Sequence, residues 1–437
     1  MRNRSIALLL ISTLFLGSCK NTGEQAPSIQ FTDEANIRTS VSAEPSLTMN
    51  IDTYDPDPDF VCSLFLGDSF ITEKYMLYHD HQGSLHFFIA ADGSERVYCF
   101  SPGCEHESAK SDTSGQIVDP GCISYNISGA PVMIRGDRLY FYNNMGIYRS
   151  DLQGENRKLI GTVPPQFMFG EIFFSKDAFF SAYSTQYDAI EVPLENGEST
   201  WVVGEAKETF SAGLVRMDLA DGKHTEVFTS ENYTSRIFKY DIRGDHLYFA
   251  YAHNDLPYMG PDGELTGTVP EEYAELSAEQ YQEEQQRHLL VDIYDYEIST
   301  GKLNVILKDE QYVSVQFCNG FFALSATGGG VRLFRYNGEA LREIKAPLVS
   351  AGVRTDDHLL VYNSETTNEY LLIDENTGDV LKRTVVPREK IMPMIMIGDS
   401  CYGFVDLGAS WGISYCHIPT KDFWEGDTTN CVPFHAP

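Results

Sequence analysis

Apolar and polar positions along this chain alternate in short bursts that return in the same order. One unit is a turn followed by an aromatic strand. Gly136-Asp137-Arg138-Leu139-Tyr140-Phe141-Tyr142 and Gly244-Asp245-His246-Leu247-Tyr248-Phe249-Ala250 are close copies of it. Looser copies are Asp356-Asp357-His358-Leu359-Leu360-Val361-Tyr362 and Gly398-Asp399-Ser400-Cys401-Tyr402-Gly403-Phe404. A second unit follows each of these, a strand that runs into a polar turn and another strand. Leu214 to Lys223, Asp295 to Lys302, Leu333 to Glu339 and Leu372 to Asp379 are examples. Asp-Gly, Asn-Gly and Thr-Gly supply the positive φ that tight hairpins need, and aromatic and β-branched residues fill the flanking strands.

Uninterrupted copies recur at roughly 36–42 residues, the length of a four-stranded propeller blade. The pattern therefore predicts an all-β chain, a β-propeller of four-stranded antiparallel blades. Seven copies begin near Thr72, Pro131, Phe169, Tyr240, Val315, Val353 and Met394. Seven blades are expected, and the irregular first and last copies would also accommodate six or eight. A ring removes exposed sheet edges, and the strand Phe60 to Leu66 is the expected partner that completes the C-terminal blade. A two-domain β-sandwich is the rival architecture.

The copies differ in length. The first is stretched by a Cys/His segment over about 99–122, and the third by an acidic, hairpin-like extension from Asp188 to Glu208. The fourth is interrupted over about 254–286, where Ser277-Ala278-Glu279-Gln280 resembles a capping box opening a short helix. Insertions on a propeller sit at its rims, where ligands and partners meet it.

Ahead of the repeats the pattern changes. Met1-Arg2-Asn3-Arg4 is basic, Ile6 to Leu16 is apolar, and Leu16-Gly17-Ser18-Cys19 closes the run in the manner of a bacterial lipoprotein signal. The apolar run is too short and wrongly flanked for a lasting membrane span. The expectation is cleavage before Cys19 and lipid attached to that cysteine, which places the chain at the cell membrane on its extracytoplasmic face. Residues 1–18 are then a signal peptide, 19–59 a lipidated cysteine and flexible tether, and 60–437 the propeller domain. The tether is rich in Ser, Thr, Glu, Asp and Pro and cannot bury enough apolar surface to offset chain entropy.

Composition narrows the partners. The 437-residue chain carries a formal net charge of −31. Such a surface repels nucleic acid and anionic lipid head groups, so neither is an expected partner and the lipid anchor is the membrane contact. Several acyl chains together bind a membrane stably where one does not.

One constellation carries chemistry. Cys99, Cys104, His106 and Cys122 stand in a C-x4-C-x-H-x15-C arrangement. Three thiolates and an imidazole suffice for a tetrahedral, structural Zn²⁺. In an exported chain the same cysteines could instead enter one or two disulfides, with Cys62 as a further candidate. Zinc and disulfide both remain open from the spacing. Cys318, Cys401 and Cys416 fall on predicted strands as small apolar groups, and Cys431 is a candidate to bridge to Cys62. His79 and His81 flank Asp80 in what reads as a blade loop. There is no nucleophile elbow, phosphate loop or zinc-protease motif, so no catalytic residues are assigned and the balance leans away from an enzyme.

With Leu16 to Cys19, Cys99-Phe100-Ser101-Pro102-Gly103-Cys104-Glu105-His106 with Cys122, and the aromatic strands at Gly136 to Phe141 and Gly244 to Phe249 in hand, the chain resembles a family. It is similar to lipid-anchored β-propeller proteins of Gram-positive anaerobes, loosely related to the TolB-type propellers. The resemblance covers most of residues 60–420 and implies the propeller fold, with no established activity attached.

Two functions from different classes fit these features. The first is a surface-anchored binding or scaffold propeller presenting rim inserts to a protein, peptide or glycan. The second is an extracellular polysaccharide hydrolase or lyase whose carboxylates converge at the propeller channel from different blades.

Overall fold

A computed structural model describes residues 70–434, apart from short internal stretches, among them 105–109, 163–170, 258–267 and 407–412. The leader, Cys19, the tether and the strand expected over 60–66 lie outside the described residues. Seven four-stranded antiparallel sheets follow one another along the chain, at 70–97, 132–162, 171–232, 234–310, 314–344, 350–385 and 392–433. They are numbered here as blades one to seven. Their first strands begin at Phe70, Val132, Glu171, Thr234, Ser314, Ser350 and Met392, within three residues of the starts predicted from the repeat except in blade four, where Thr234 lies ahead of the expected Tyr240.

Within each blade the strands pair in chain order. First strands of successive blades lie side by side, as Ser314–Phe317 does with Ser350–Val353 and Ser350–Val353 with Met392–Ile397. This places the first strands toward the axis and the fourth strands at the perimeter. Burial follows that order: the second strands Tyr75–His79 and Phe321–Ser325 are buried throughout, whereas the fourth strand Val380–Val385 is exposed at five of its six residues. The turn Gly244-Asp245 shows how the recurring unit works. The pair Arg243↔His246 closes a two-residue hairpin with Gly244 at φ +57°, a conformation that disfavours any Cβ.

The alternation of side chains in a strand sends successive residues to opposite neighbours. In blade four, Leu247, Phe249 and Tyr251 pack against blade three, while Tyr248, Ala250 and Ala252 pack against blade five. In blade one, Tyr75 and Leu77 face blade two, and Met76 and Tyr78 face blade seven. Every adjacent pair of blades shares such a core, including the last and the first, so the ring closes.

Among the described residues, closure is made by packing between blades seven and one. The segment Phe60 to Leu66 lies outside the described residues, and blade seven takes its fourth strand from Val432–Pro433, paired with Ile413–Pro419. Just beyond it, Phe434 is fully buried, stacked on Phe88 of blade one at 4.1 Å and tilted against Tyr78 at 5.1 Å. Its amide donates to Tyr415 O at 2.8 Å, and its own carbonyl accepts from Ser414 Oγ at 2.7 Å. His417 also lies in this seam, 5.2 Å from Phe88 and 5.1 Å from Tyr402 between ring centres, with Nε2 3.2 Å from Ser400 Oγ.

The elaborations take definite forms. The second and third strands of blade three, Ala178–Pro193 and Ser199–Asp218, stay paired from Tyr187↔Ala206 to Pro193↔Ser199, forming a ribbon beyond the blade. In blade four, the helix Ala278–Arg287 begins at Ser277 with the expected capping box, the Ser277 hydroxyl and the Gln280 side chain each taking the other's backbone N–H. Tyr281 is buried and donates to Pro257 O at 3.0 Å, tying the helix to the blade. Among the described residues, no helix is long and apolar enough to cross a membrane.

Two consequences of the closing seam are measurable. Phe434→Ala should cost about 3–5 kcal/mol in denaturant unfolding, because it empties a fully enclosed site. Val432→Ala, a truncation of a residue 39% exposed, should cost under about 1 kcal/mol. The second concerns pH. Burial lowers the His417 pKa from 6.5 to about 4, so the unfolded chain takes up this proton first as pH falls. The stability linked to a neutral His417 is therefore full above about pH 6.5 and declines toward pH 4, by at most about 3 kcal/mol. Denaturation curves at pH 7 and pH 4.5 should show a smaller difference for His417→Gln than for the parent; equal differences would refute the assignment.

Candidate metal centre

Among the described residues, the segment between blades one and two carries the ribbon Lys110–Ser111 with Ile117–Asp119 and the one-turn helix Ile123–Asn126. Its placement comes from its ends. Tyr98 follows the fourth strand of blade one, and its amide donates to Leu85 O at 2.8 Å. Its ring is buried in the core shared by blades one to three, and its hydroxyl donates to Leu152 O of blade two at 2.8 Å. Burial, with lesser contributions from Tyr75 and Asp151, keeps that phenol protonated far above the usual tyrosine range.

From Tyr98 the chain reaches Cys99, whose amide bonds back to Val97 O at 2.8 Å. The Lys110↔Asp119 pairing then turns the chain back toward Cys122. Cys122 is buried and accepts a hydrogen bond from Ser124 Oγ at 3.1 Å. The adjacent Ile123 fills the space over Gly154 of blade two. A side chain at Gly154 would place Cβ 1.5 Å from Ile123 Cδ1, so this contact requires glycine.

These constraints bring three of the four predicted ligands together. The sulfurs of Cys99, Cys104 and Cys122 lie within 4.8 Å of one another, with Cys122 buried and the other two half-buried. His106 lies outside the described residues, as does Cys19. A three-thiolate set inside an apolar seam suits a soft or borderline metal ion, and the Ser124 hydroxyl orients one ligand from behind. Cys99 and Cys104 pack against the core shared by blades one to three, which contains Cys122, and the chemistry such a group supports is structural cross-linking.

The remaining cysteines and histidines sort differently. Cys401 and Cys416 are fully buried in the core of blades six and seven, and Cys318 is buried between blades five and six, as expected for small apolar groups. Burial pushes the Cys401 and Cys416 thiols up. Cys431 packs on the same core and donates to Lys390 O at 3.3 Å. Its proposed partner Cys62 lies outside the described residues. His79 ends a buried strand, paired with Leu85, rather than standing in a loop. A second group of metal-capable side chains, His253, Asp292 and Asp309, comes together in blade four. No motif spacing announces it, because its members come from three strands.

No protein-family model matches the chain, and no curated protein matches it in sequence. Among solved structures it is similar to BamB from Moraxella catarrhalis at 13% identity, covering 79% of this chain and 81% of that one with a TM-score of 0.38. It is also similar to an oligogalacturonate lyase in complex with manganese, at 8% identity, 82% and 88% coverage and a TM-score of 0.42. A third similarity is to Porphyromonas gingivalis dipeptidyl peptidase 4, at 11% identity, 80% and 57% coverage and a TM-score of 0.42. Likeness at this level carries no statement about activity.

The thiolate set predicts a spectroscopic result. Cobalt(II) added to the reduced, metal-stripped protein should give intense sulfur-to-metal charge-transfer absorption at one equivalent. Cys104→Ser should abolish or sharply weaken that band, and an unchanged spectrum would show that the three sulfurs do not share an ion.

Proposed function

We propose that this chain is a lipid-anchored, extracytoplasmic binding or scaffold propeller that presents its rim elaborations to a protein, peptide or glycan. The observation that carries this reading is the ribbon of blade three. A regular ring needs strands no longer than its neighbours', yet this pair continues past the blade as far as Pro193↔Ser199. Ile190, on that extension, is 48% exposed. An ordered ribbon outside the core contributes little to stability and offers backbone edges and side chains to a partner.

The location rests on the Leu16-Gly17-Ser18-Cys19 signal and the polar stretch after it, with Cys19 as the lipidated residue. The cysteine segment completes the reading: Cys99, Cys104 and Cys122, with His106 as the fourth ligand, hold a structural zinc ion that staples the loop between blades one and two. Such a site organises a surface and supplies no reacting group.

The test replaces residues 188–205 by Asn-Gly, a two-residue turn that reconnects the Tyr187–Ala206 pair. Parent and variant, both produced from residue 20 onward, are presented to arrays of cell-surface glycans and peptides. The parent should retain a ligand class without consuming it, and the variant should lose that binding at an unchanged unfolding midpoint. Turnover of the ligand, or equal binding by both proteins, would refute the proposal.

A further inference from the structure

We infer that His253, Asp292 and Asp309 form a second metal site, for a divalent first-row cation that accepts mixed nitrogen and oxygen donors. The inference stands independently of the cysteine centre and of the binding role proposed above.

The three residues come from consecutive strands of blade four, His246–Asn254, Leu290–Glu297 and Lys302–Glu310. Tyr251 is directly opposite Asp292, so His253, two residues on, lies on the same face as a diagonal neighbour. Asp309 arrives through an irregularity. Val291 pairs with Glu310 and Ile293 with Leu307, leaving two residues opposite Asp292 where a regular ladder has one. Asp309 sits in this bulge at φ +56°, and bulges re-aim side chains.

The donors are arranged for a shared ion. His253 Nε2 lies 3.4 Å from Asp292 Oδ1 and 3.9 Å from Asp309 Oδ1, so one imidazole nitrogen faces two carboxylates. All three ligand atoms fall within 4.8 Å of one another. Bonds of about 2.0–2.2 Å to a common ion place neighbouring donors about 3–4 Å apart, the spread seen here. The ligands are also held from behind. Asp292, only 3% exposed, receives Tyr294 Oη–H on Oδ2 at 3.2 Å and the Asp309 amide on Oδ1 at 2.8 Å. The His253 ring stacks on Tyr251 with centres 5.2 Å apart. Orientation of this kind is what metal ligands require of their surroundings. The Asp309 side chain is 55% exposed, which opens the site to an incoming ion and leaves room for water in the remaining positions.

The chemistry selects the ion class. One imidazole and two carboxylates suit manganese(II) and its neighbours, not the soft ions that thiolates hold. Two carboxylates, one of them buried, face a single imidazole, and a dication balances that charge. The place suggests the role. Asn254, beside His253, donates from Nδ2 to Gln285 O at 2.6 Å and accepts from the Leu256 amide at 2.9 Å. Gln311, beyond Asp309, donates to Arg287 O at 2.7 Å. Both roots of the helical insert thus adjoin the site, and a bound ion would lock the insert to three strands of its blade.

Manganese(II) alone is the probe, because thiolates compete poorly for it. The metal-stripped protein, from residue 20 onward, is titrated while the electron paramagnetic resonance signal of free manganese(II) is followed. One equivalent should disappear from that signal, with affinity at least tenfold weaker in Asp309→Asn and in His253→Gln. Manganese(II) should also slow proteolysis within 255–289 in the parent and not in Asp309→Asn. Absence of saturable binding, or equal affinity in Asp309→Asn, overturns the proposal and leaves a histidine–carboxylate ion pair in its place. Asp309 is exposed, so that variant decides the matter even where His253→Gln is destabilised.

Discussion

Every blade of this protein is a sheet that must bury both faces, and no blade can do so alone. The second strand of each sends alternate side chains left and right, as Tyr248 and Phe249 do in blade four. Stability therefore depends on the ring being closed, and the decisive contact is the seam between blades seven and one. There Tyr78 is tilted against both Tyr415 and Phe434, and Phe434 stacks on Phe88. Without that seam, Met76, Tyr78 and Phe88 on one blade and Ile395 and Tyr402 on the other would face water. Burial of that apolar surface is worth about 25 cal/mol per Å², and it is the contribution that joins the ends of a linear array.

This arrangement separates what is constrained from what is free. Side chains of first, second and third strands are bound by both neighbours, so elaboration occurs where packing ends. The ribbon of blade three leaves the ring by extending two paired strands, a solution that keeps its backbone hydrogen bonds satisfied. The insert of blade four instead carries its own capped helix and fastens it through Tyr281, Gln285 and Pro257. In the segment between blades one and two, three cysteines gather.

The fold was legible in the sequence because its turns are chemically marked. Gly136-Asp137 and Gly244-Asp245 demand a positive φ and are followed at once by apolar strands, so both register and blade starts could be read. The capping box at Ser277 was legible for the same reason: its signal is local. Ring closure was legible only as a requirement. Phe434 lies beyond the last repeat in a Pro-rich tail, and nothing in its spacing marks it as the residue that fills the final seam. The convergence of Cys99, Cys104 and Cys122 could be anticipated from ligand type, since few other residues in that segment could cross-link it. His253, Asp292 and Asp309 could not be anticipated. A long insert separates the first two in the chain, and the third depends on a bulge that has no glycine or proline to announce it.

The two metal-capable groups also stand in different mechanical settings. Among the described residues, 99–126 contribute a short ribbon, Lys110–Ser111 with Ile117–Asp119, and one helical turn, Ile123–Asn126. An ion shared by the three cysteines would cross-link that segment, and its binding energy would be folding energy for it. His253, Asp292 and Asp309 instead sit on a complete blade whose strands Leu290–Glu297 and His246–Asn254 are largely buried already. An ion at that place adds little to the ring and acts on the insert hinged beside it. Soft donors are thus found in the segment that joins two blades. Harder donors are found where order exists and a rim element remains to be fixed. A ring whose core is uniform in this way places two metal-capable groups of different donor chemistry at two of its elaborations.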